Sequence, residues 1–302
     1  MSYPVKVALQ SNNFELSDSS SRLGELKSTK YNAPIEILQS AYERDGYILI
    51  RNFFDPNKIM NLRSLFLTEL ISKASGKSSL MSEASRYNYS SISKKAINSA
   101  IQKFVTSAEY LALINDPKLK NLVSAVLKEP VSLYKRKLVR IKFKNDKNGD
   151  TGGHYDRIYF RNGSDRFLSC WIPLGDISMT MGGLTYLEKS SNLGKDIEMT
   201  FEKNMAKKTT ESQTRIRSKG MGGRGWLDKN LSRLANKTDT RWLITDYKAG
   251  DLVLHNPYII HASLTNIDSL DRIRLSTDIR YFAANSYNDS RWQKPWNEND
   301  KL

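Results

Sequence analysis

From Val131 onward the sequence is a succession of short apolar runs cut by turn signals, and this pattern constrains the fold more than any other feature. Within 131–143, Val139, Ile141 and Phe143 alternate with Leu138, Arg140 and Lys142, which is strand periodicity with one polar face. Further strands are expected over 157–160, 167–174, 183–187, 242–246, 251–255, 259–264 and 272–282, punctuated by Asn162-Gly163, Gly182-Gly183 and Asn256-Pro257. Helical spacing precedes them: 35–42 stopped by Gly46, then 57–74, 96–104, and 117–127 opened by Asp116-Pro117. Tyr47-Ile48-Leu49-Ile50 reads as a buried strand. Many short strands behind a helical block imply a mainly β chain with flanking helices, as an antiparallel barrel or sandwich.

Three segments fall outside that pattern. Residues 1–32 are polar and are expected to form a mobile lead-in, leaving 33–302 as a single domain. Residues 75–93 are serine-rich and read as a surface loop. Residues 190–240 form a long basic insertion containing Gly220-Met221-Gly222-Gly223-Arg224-Gly225-Trp226, a glycine hinge beside an aromatic, as in a lid. The glycine run has no Lys-Ser/Thr after it, which argues against a phosphate-binding loop.

The net charge of +15 would draw in an anionic small molecule, or nucleic acid nonspecifically. Aromatic residues are sparse among the basic residues of 203–219, which disfavours nucleic acid. No run approaches the roughly 18 apolar residues of a membrane span, and the first ten residues lack the apolar core of a secretory signal. A single cysteine, Cys170, excludes an internal disulfide. The expected setting is intracellular, in the cytoplasm.

Chemistry concentrates at His154-Tyr155-Asp156, read as the start of a strand, where residues i and i+2 share a face and can converge on one ion. Mononuclear iron(II) oxygenases use two histidines and one carboxylate, leaving the opposite metal positions open. The chain has three histidines. His255 stands just before Asn256-Pro257, where its strand should break, whereas His261 is followed two residues on by Ser263 and eleven on by Arg272. His261 is therefore the expected second ligand. An arginine fork suits the distal carboxylate of a 2-oxo acid cosubstrate, and Arg272 is placed for that task, with Arg274 on the same face one step along.

These residues resemble the phytanoyl-CoA dioxygenase family of iron(II)/2-oxoglutarate oxygenases over about residues 35–293. The likeness is carried by Ala41-Tyr42-Glu43-Arg44-Asp45-Gly46-Tyr47, His154-Tyr155-Asp156, Trp171-Ile172-Pro173-Leu174, Gly182-Gly183-Leu184, Ala249-Gly250-Asp251-Leu252-Val253, His261 and the stretch from Arg272 to Phe282. It implies a double-stranded β-helix, a cupin-like jelly roll. It also implies iron(II) on His154, Asp156 and His261, 2-oxoglutarate held by Arg272 and Ser263 beside Trp171, and O2 as oxidant. Lys142 or Arg140 is expected to complete the cosubstrate pocket. Related halogenases carry Ala or Gly where this chain has Asp156, so hydroxylation, desaturation or oxidative ring closure is expected, as in kainoid-type biosynthesis and secondary metabolism generally. The basic residues Arg140 and Arg157 point to a small carboxylate-bearing substrate, with Trp226 of the insertion as a further contact. The alternatives are an acyl-CoA hydroxylase, a nucleic-acid demethylase of the same superfamily, or a basic nucleic-acid-binding protein.

Overall fold

The computed structural model describes residues 8–75, 92–146, 149–222 and 225–295. Two sheets face each other. The larger runs β4 (Ser28–Thr29), β5 (Tyr47–Ile50), β11 (Leu252–His255), β8 (Phe167–Pro173), β13 (Arg274–Ala283) and β6 (Val131–Leu133), with β7 (Leu138–Lys142) also paired to β13. The smaller runs β12 (His261–Ser263), β9 (Leu184–Leu187), β10 (Trp242–Ile244) and β3 (Leu23–Glu25). Pairing is antiparallel except where β3 and β4 join β10 and β5. The chain thus has the jelly-roll architecture that the family resemblance implies, a member of the barrel-or-sandwich class expected from its short strands.

Alternation along the central strands divides the labour between their faces. Leu168, Cys170 and Ile172 of β8, with Leu275, Ile279 and Tyr281 of β13, join an apolar core with the helices. Those helices include α1 (Ile35–Asp45), α2 (Pro56–Ser75) and α5 (Pro117–Leu127). The opposite face of β13 presents Arg274, Ser276, Asp278 and Arg280, all buried between the sheets. A strand with every residue buried and every second one polar on one face must be lining a site, because burying such groups is costly unless they are matched.

The helical stops and starts are local. Gly46 closes α1 in the left-handed region at φ 80°, its N–H bonded to the Tyr42 carbonyl. Asp116 caps α5 by accepting from the Lys118 N–H at 2.8 Å. Two further helices, α3 (Lys94–Val105) and α4 (Ala108–Ile114), lie between α2 and α5.

Several expectations are corrected. Residues 131–143 break into β6 and β7, and 156–160 form a 3-10 turn rather than a strand. The lead-in is ordered from residue 8: β1 (Gln10–Ser11) and β2 (Phe14–Glu15) make a hairpin, and β3 and β4 extend the two sheets. The insertion folds as three helices, α6 (Ser191–Met205), α7 (Thr210–Gly222) and α8 (Leu231–Lys237). Most of the 75–93 stretch and Gly223-Arg224 lie outside the described residues. Among the described residues no helix is long and apolar enough to cross a membrane.

Candidate metal centre

His154 and His261 are brought together by backbone. Their main chains exchange two hydrogen bonds as an isolated antiparallel bridge, at 3.0 and 2.8 Å, and their ring centroids stand 4.3 Å apart. Tyr155 keeps extended angles (φ −123°, ψ 147°), so Asp156 returns to the same side as His154 although the strand ends there. Gly152, just ahead, has no room for a side chain: a Cβ would lie 2.7 Å from the Asp228 carbonyl oxygen and 3.0 Å from the Trp226 ring. One potential ligand atom from each of His154, Asp156 and His261 lies within 4.8 Å of the others, and all three residues are buried.

Hydrogen bonding selects the imidazole tautomers. His154 Nδ1 lies 2.8 Å from the Gly152 carbonyl and His261 Nδ1 lies 3.0 Å from that of Ile259. A carbonyl only accepts, so each Nδ1 carries the hydrogen and each Nε2 keeps a lone pair for a cation. Burial pushes both imidazoles toward the neutral form, His261 well below its usual range with help from His154 and His255. Burial alone would raise the Asp156 carboxyl, but Arg280 and the neighbouring histidines hold it well below the usual carboxylate range. Two neutral nitrogens and one ionised oxygen on one side suit a divalent iron.

Around this group lies a narrow cleft lined by residues including Arg140, Trp171, His255, Ser263, Arg274 and Arg280. Among the described residues, buried nitrogens there without a hydrogen-bond partner include Trp171 Nε1, Arg274 Nε and Arg280 Nη1, all donors, and the ring nitrogen His255 Nε2. Lys142 is already satisfied by Asp150 Oδ1 at 2.7 Å, Ser263 Oγ at 3.0 Å and the Leu264 carbonyl at 2.5 Å. Ser263 Oγ also receives the Thr151 N–H at 3.0 Å and shares a hydrogen bond with the Thr151 hydroxyl at 3.0 Å, so its own bonding capacity is filled. Arg140 pairs with Asp278 at 2.5 Å.

The sequence-derived residues therefore separate. His154, Asp156, His261, Ser263, Trp171 and Arg140 meet at the cleft, with Lys142 directly behind Ser263. Arg272 does not: it precedes β13, its side chain is 43% exposed, and it pairs with Asp268 at 2.7 Å. Arg274, two residues on and 1% exposed, occupies the inward position beside Trp171, its guanidinium carbon 5.4 Å from the ring centroid. Arg157 turns away to the carbonyls of Phe160 and Gly163. Trp226 lines a separate surface cleft with Phe14, Lys229 and Arg233. Ser169 and Arg280, which donate to Asp156 from β8 and β13, were given no place in the site, and His255 on β11 was weighed only as the less favoured second ligand. Their signal was the inward face of each strand, visible only once register is known.

Residues 42–273 match the family model for phytanoyl-CoA dioxygenase (PhyH). The chain belongs to the phytanoyl-CoA dioxygenase family. It is a 2-oxoglutarate-dependent non-haem iron oxygenase whose reagents are iron(II), 2-oxoglutarate and O2. Solved structures share its fold at low identity. The epimerase SnoN, in complex with Fe3+, alpha ketoglutarate and nogalamycin RO, is 19% identical at a TM-score of 0.54, covering 89% of this chain and 93% of its own. The carbocyclase SnoK from nogalamycin biosynthesis is 14% identical at 0.54, over 87% and 90%. EctD from S. alaskensis, with 2-oxoglutarate and 5-hydroxyectoine, is 16% identical at 0.54, over 89% and 85%. No protein of curated function matches the sequence.

Proposed function

We propose that this family member binds iron(II) through His154, Asp156 and His261, seats 2-oxoglutarate against Arg274, and oxidises an unactivated C–H bond of a small carboxylate-bearing metabolite. The observation that carries the reading is the set of buried donors on Trp171, Arg274 and Arg280, partnerless among the described residues, beside the three ligand atoms. Donors left unmatched in a buried space call for a ligand rich in acceptors, and carboxylates are the densest acceptors available. Arg274 takes the distal carboxylate because it has no ion-pair partner among the described residues, whereas Lys142 and Arg272 are each committed to an aspartate. Ser263, held by Lys142 and Thr151, is proposed as a further contact at the same seat.

Charge balance supports the substrate class. In the cleft wall Arg140 is matched by Asp278, Lys142 by Asp150 and Arg280 by Asp156, which leaves Arg274 as one net positive charge. Iron(II) and the 2-oxoglutarate dianion cancel, so a substrate with one carboxylate brings the site to neutrality. Bound at the triad, iron supplies the means to activate O2 with the cosubstrate. The chain supplies placement: Asp156 holds one metal position against halide, Arg274 orients the cosubstrate, and the walls exclude water. Hydroxylation is the simplest outcome, but the fold is shared with an epimerase and a carbocyclase, so desaturation or ring closure fits the same frame.

Anaerobic addition of iron(II) and 2-oxoglutarate is expected to give a visible metal-to-ligand charge-transfer band, lost in His154→Ala and His261→Ala. Arg272→Ala keeps the band at unchanged 2-oxoglutarate affinity, whereas Arg274→Ala weakens the cosubstrate by about 10- to 100-fold, the worth of a charge-assisted hydrogen bond. The opposite ranking of the two arginines overturns the seat. In a 2-oxoglutarate consumption screen, turnover confined to neutral compounds overturns the substrate class.

A further inference from the structure

His255, the third histidine, differs from the two ligands in how its ring is held. Its Nδ1 meets no backbone carbonyl; it lies 3.0 Å from the Tyr186 hydroxyl. That phenol is fully buried, and burial keeps it protonated far beyond its usual range. Among the described residues it has no other hydrogen-bond partner, so its hydrogen goes to His255 Nδ1, because otherwise a buried O–H would be orphaned. Accepting at Nδ1 places the ring hydrogen on Nε2. Nε2 is itself buried, has no hydrogen-bond partner among the described residues, and stands 3.4 Å from Asp156 Oδ2. The same oxygen receives Ser169 Oγ and the Arg280 Nε–H at 3.2 Å. Arg280 Nη2 straddles the carboxylate, at 3.2 Å from Oδ2 and 3.3 Å from Oδ1, and Oδ1 also looks toward His261 Nε2 at 3.7 Å.

We propose that His255, oriented by Tyr186, is a positioning residue that ties Asp156 Oδ2 away from the iron, so that the carboxylate binds through Oδ1 alone. This rests on the iron assignment above. A carboxylate free to rotate can bind through both oxygens and close one of the positions that the cosubstrate and O2 need. Two donors to Oδ2, Ser169 from β8 and Arg280 from β13, oppose that, and the unpartnered His255 Nε2–H from β11 stands 3.4 Å from the same oxygen. The fourth participant, Tyr186 on β9, belongs to the opposite sheet, so the ligand's geometry is set by both halves of the jelly roll.

The test uses Co(II) as a spectroscopic probe in the full-length protein, with affinity by calorimetry, visible d–d absorption, and melting of the metal-free protein as a control. His255→Leu removes the donor. Tyr186→Phe keeps the imidazole but frees Nδ1 to take the hydrogen, turning an Nε2 lone pair onto the carboxylate. His255→Gln keeps an N–H near the Nε2 position. Expected are a loss in Co(II) affinity of about tenfold or more in His255→Leu and Tyr186→Phe, in line with partners of metal ligands elsewhere. Both should also show weaker d–d bands, marking a higher coordination number, while His255→Gln stays close to the unsubstituted protein. Should His255→Leu fail to fold, Tyr186→Phe against His255→Gln decides alone. Unchanged affinity and spectrum in Tyr186→Phe, or a shift in His255→Gln as large as in His255→Leu, overturns the role of His255. Failure of the unsubstituted protein to bind Co(II) or iron(II) overturns the iron assignment as well.

Discussion

At Lys142 an amine has been folded into a space where its side chain is only 1% exposed. Burial lowers its pKa from 10.5 to about 8, with Asp150 opposing the shift. A folded pKa below the unfolded one means that the unfolded chain holds more protons between pH 8 and 10.5, so stability from this group rises with pH across that window. Denaturant titrations of the unsubstituted protein and of the double variant Lys142→Met/Asp150→Asn, from pH 7.5 to 10, should diverge in favour of the former. The divergence is on the order of 3 kcal/mol when complete. A gap that stays flat or narrows refutes the buried-amine account. The neighbouring arginines show where residue-level reading stops. Arg272 and Arg274 share a strand face by the i, i+2 rule, and periodicity cannot tell which is deep. The end of the preceding loop tells: Asn266 bonds both the Lys142 and Arg272 carbonyls, and Asp268 takes the Arg272 backbone and guanidinium, so the strand begins only at Arg274. His154, Asp156 and His261 were legible because a scarce residue type in a short motif leaves few alternatives.

The insertion acts at the scale of elements. Glu198 of α6 is buried, accepts two bonds from Arg161 Nε and a third from its Nη2 at 2.7 Å, and also takes the Tyr155 hydroxyl at 2.9 Å. Tyr155 stands between two of the candidate ligands, so this cluster ties the helical cover to the metal centre. Replacing Glu198 by Ala leaves Arg161, whose side chain is 12% exposed, without its counter-charge. The expected cost is about 3 kcal/mol in urea denaturation, with weaker metal binding alongside. A loss below about 1 kcal/mol, the level of a surface pair, argues that the cover is not fastened there. The N-terminal hairpin reaches the same centre from the other side: Ser11 Oγ donates to the Ser263 carbonyl at 3.0 Å and the Asn12 N–H to Asp150 Oδ2 at 2.8 Å. Deleting residues 1–16 should therefore raise the KM for 2-oxoglutarate more than it lowers kcat, and an unchanged KM would show that the hairpin is only a cover. Neither segment was legible as structure. Strands of two residues carry no periodicity, and the insertion's polar, glycine-bearing sequence hides the apolar positions Leu193 and Ile197 that pack it down.

Over the whole molecule a barrel or sandwich was legible from the many short strands and the family resemblance implied the jelly roll, whereas the pairing that joins β13 to β8, about a hundred residues apart, is set by tertiary packing alone. Long-range charge is the one whole-molecule property that bears on turnover. A net charge of +15 surrounds a cleft whose own unmatched group is a cation. Both fields act on an approaching anion in the same direction, the first over distances that salt screens and the second at contact. Raising the ionic strength from about 0.05 to 0.5 M shrinks the screening length several-fold, so kcat/KM for an anionic substrate should fall while kcat holds, because the bound complex is already neutralised. A neutral analogue of similar shape should show a flat profile under the same conditions. If instead both substrates respond alike, salt is acting on the enzyme's conformation and the charge contributes nothing to capture. A duplex DNA competitor separates the remaining case. Inhibition that disappears with salt and is indifferent to 2-oxoglutarate marks nonspecific attraction to the basic surface, whereas competition that depends on the cosubstrate would place nucleic acid in the cleft itself.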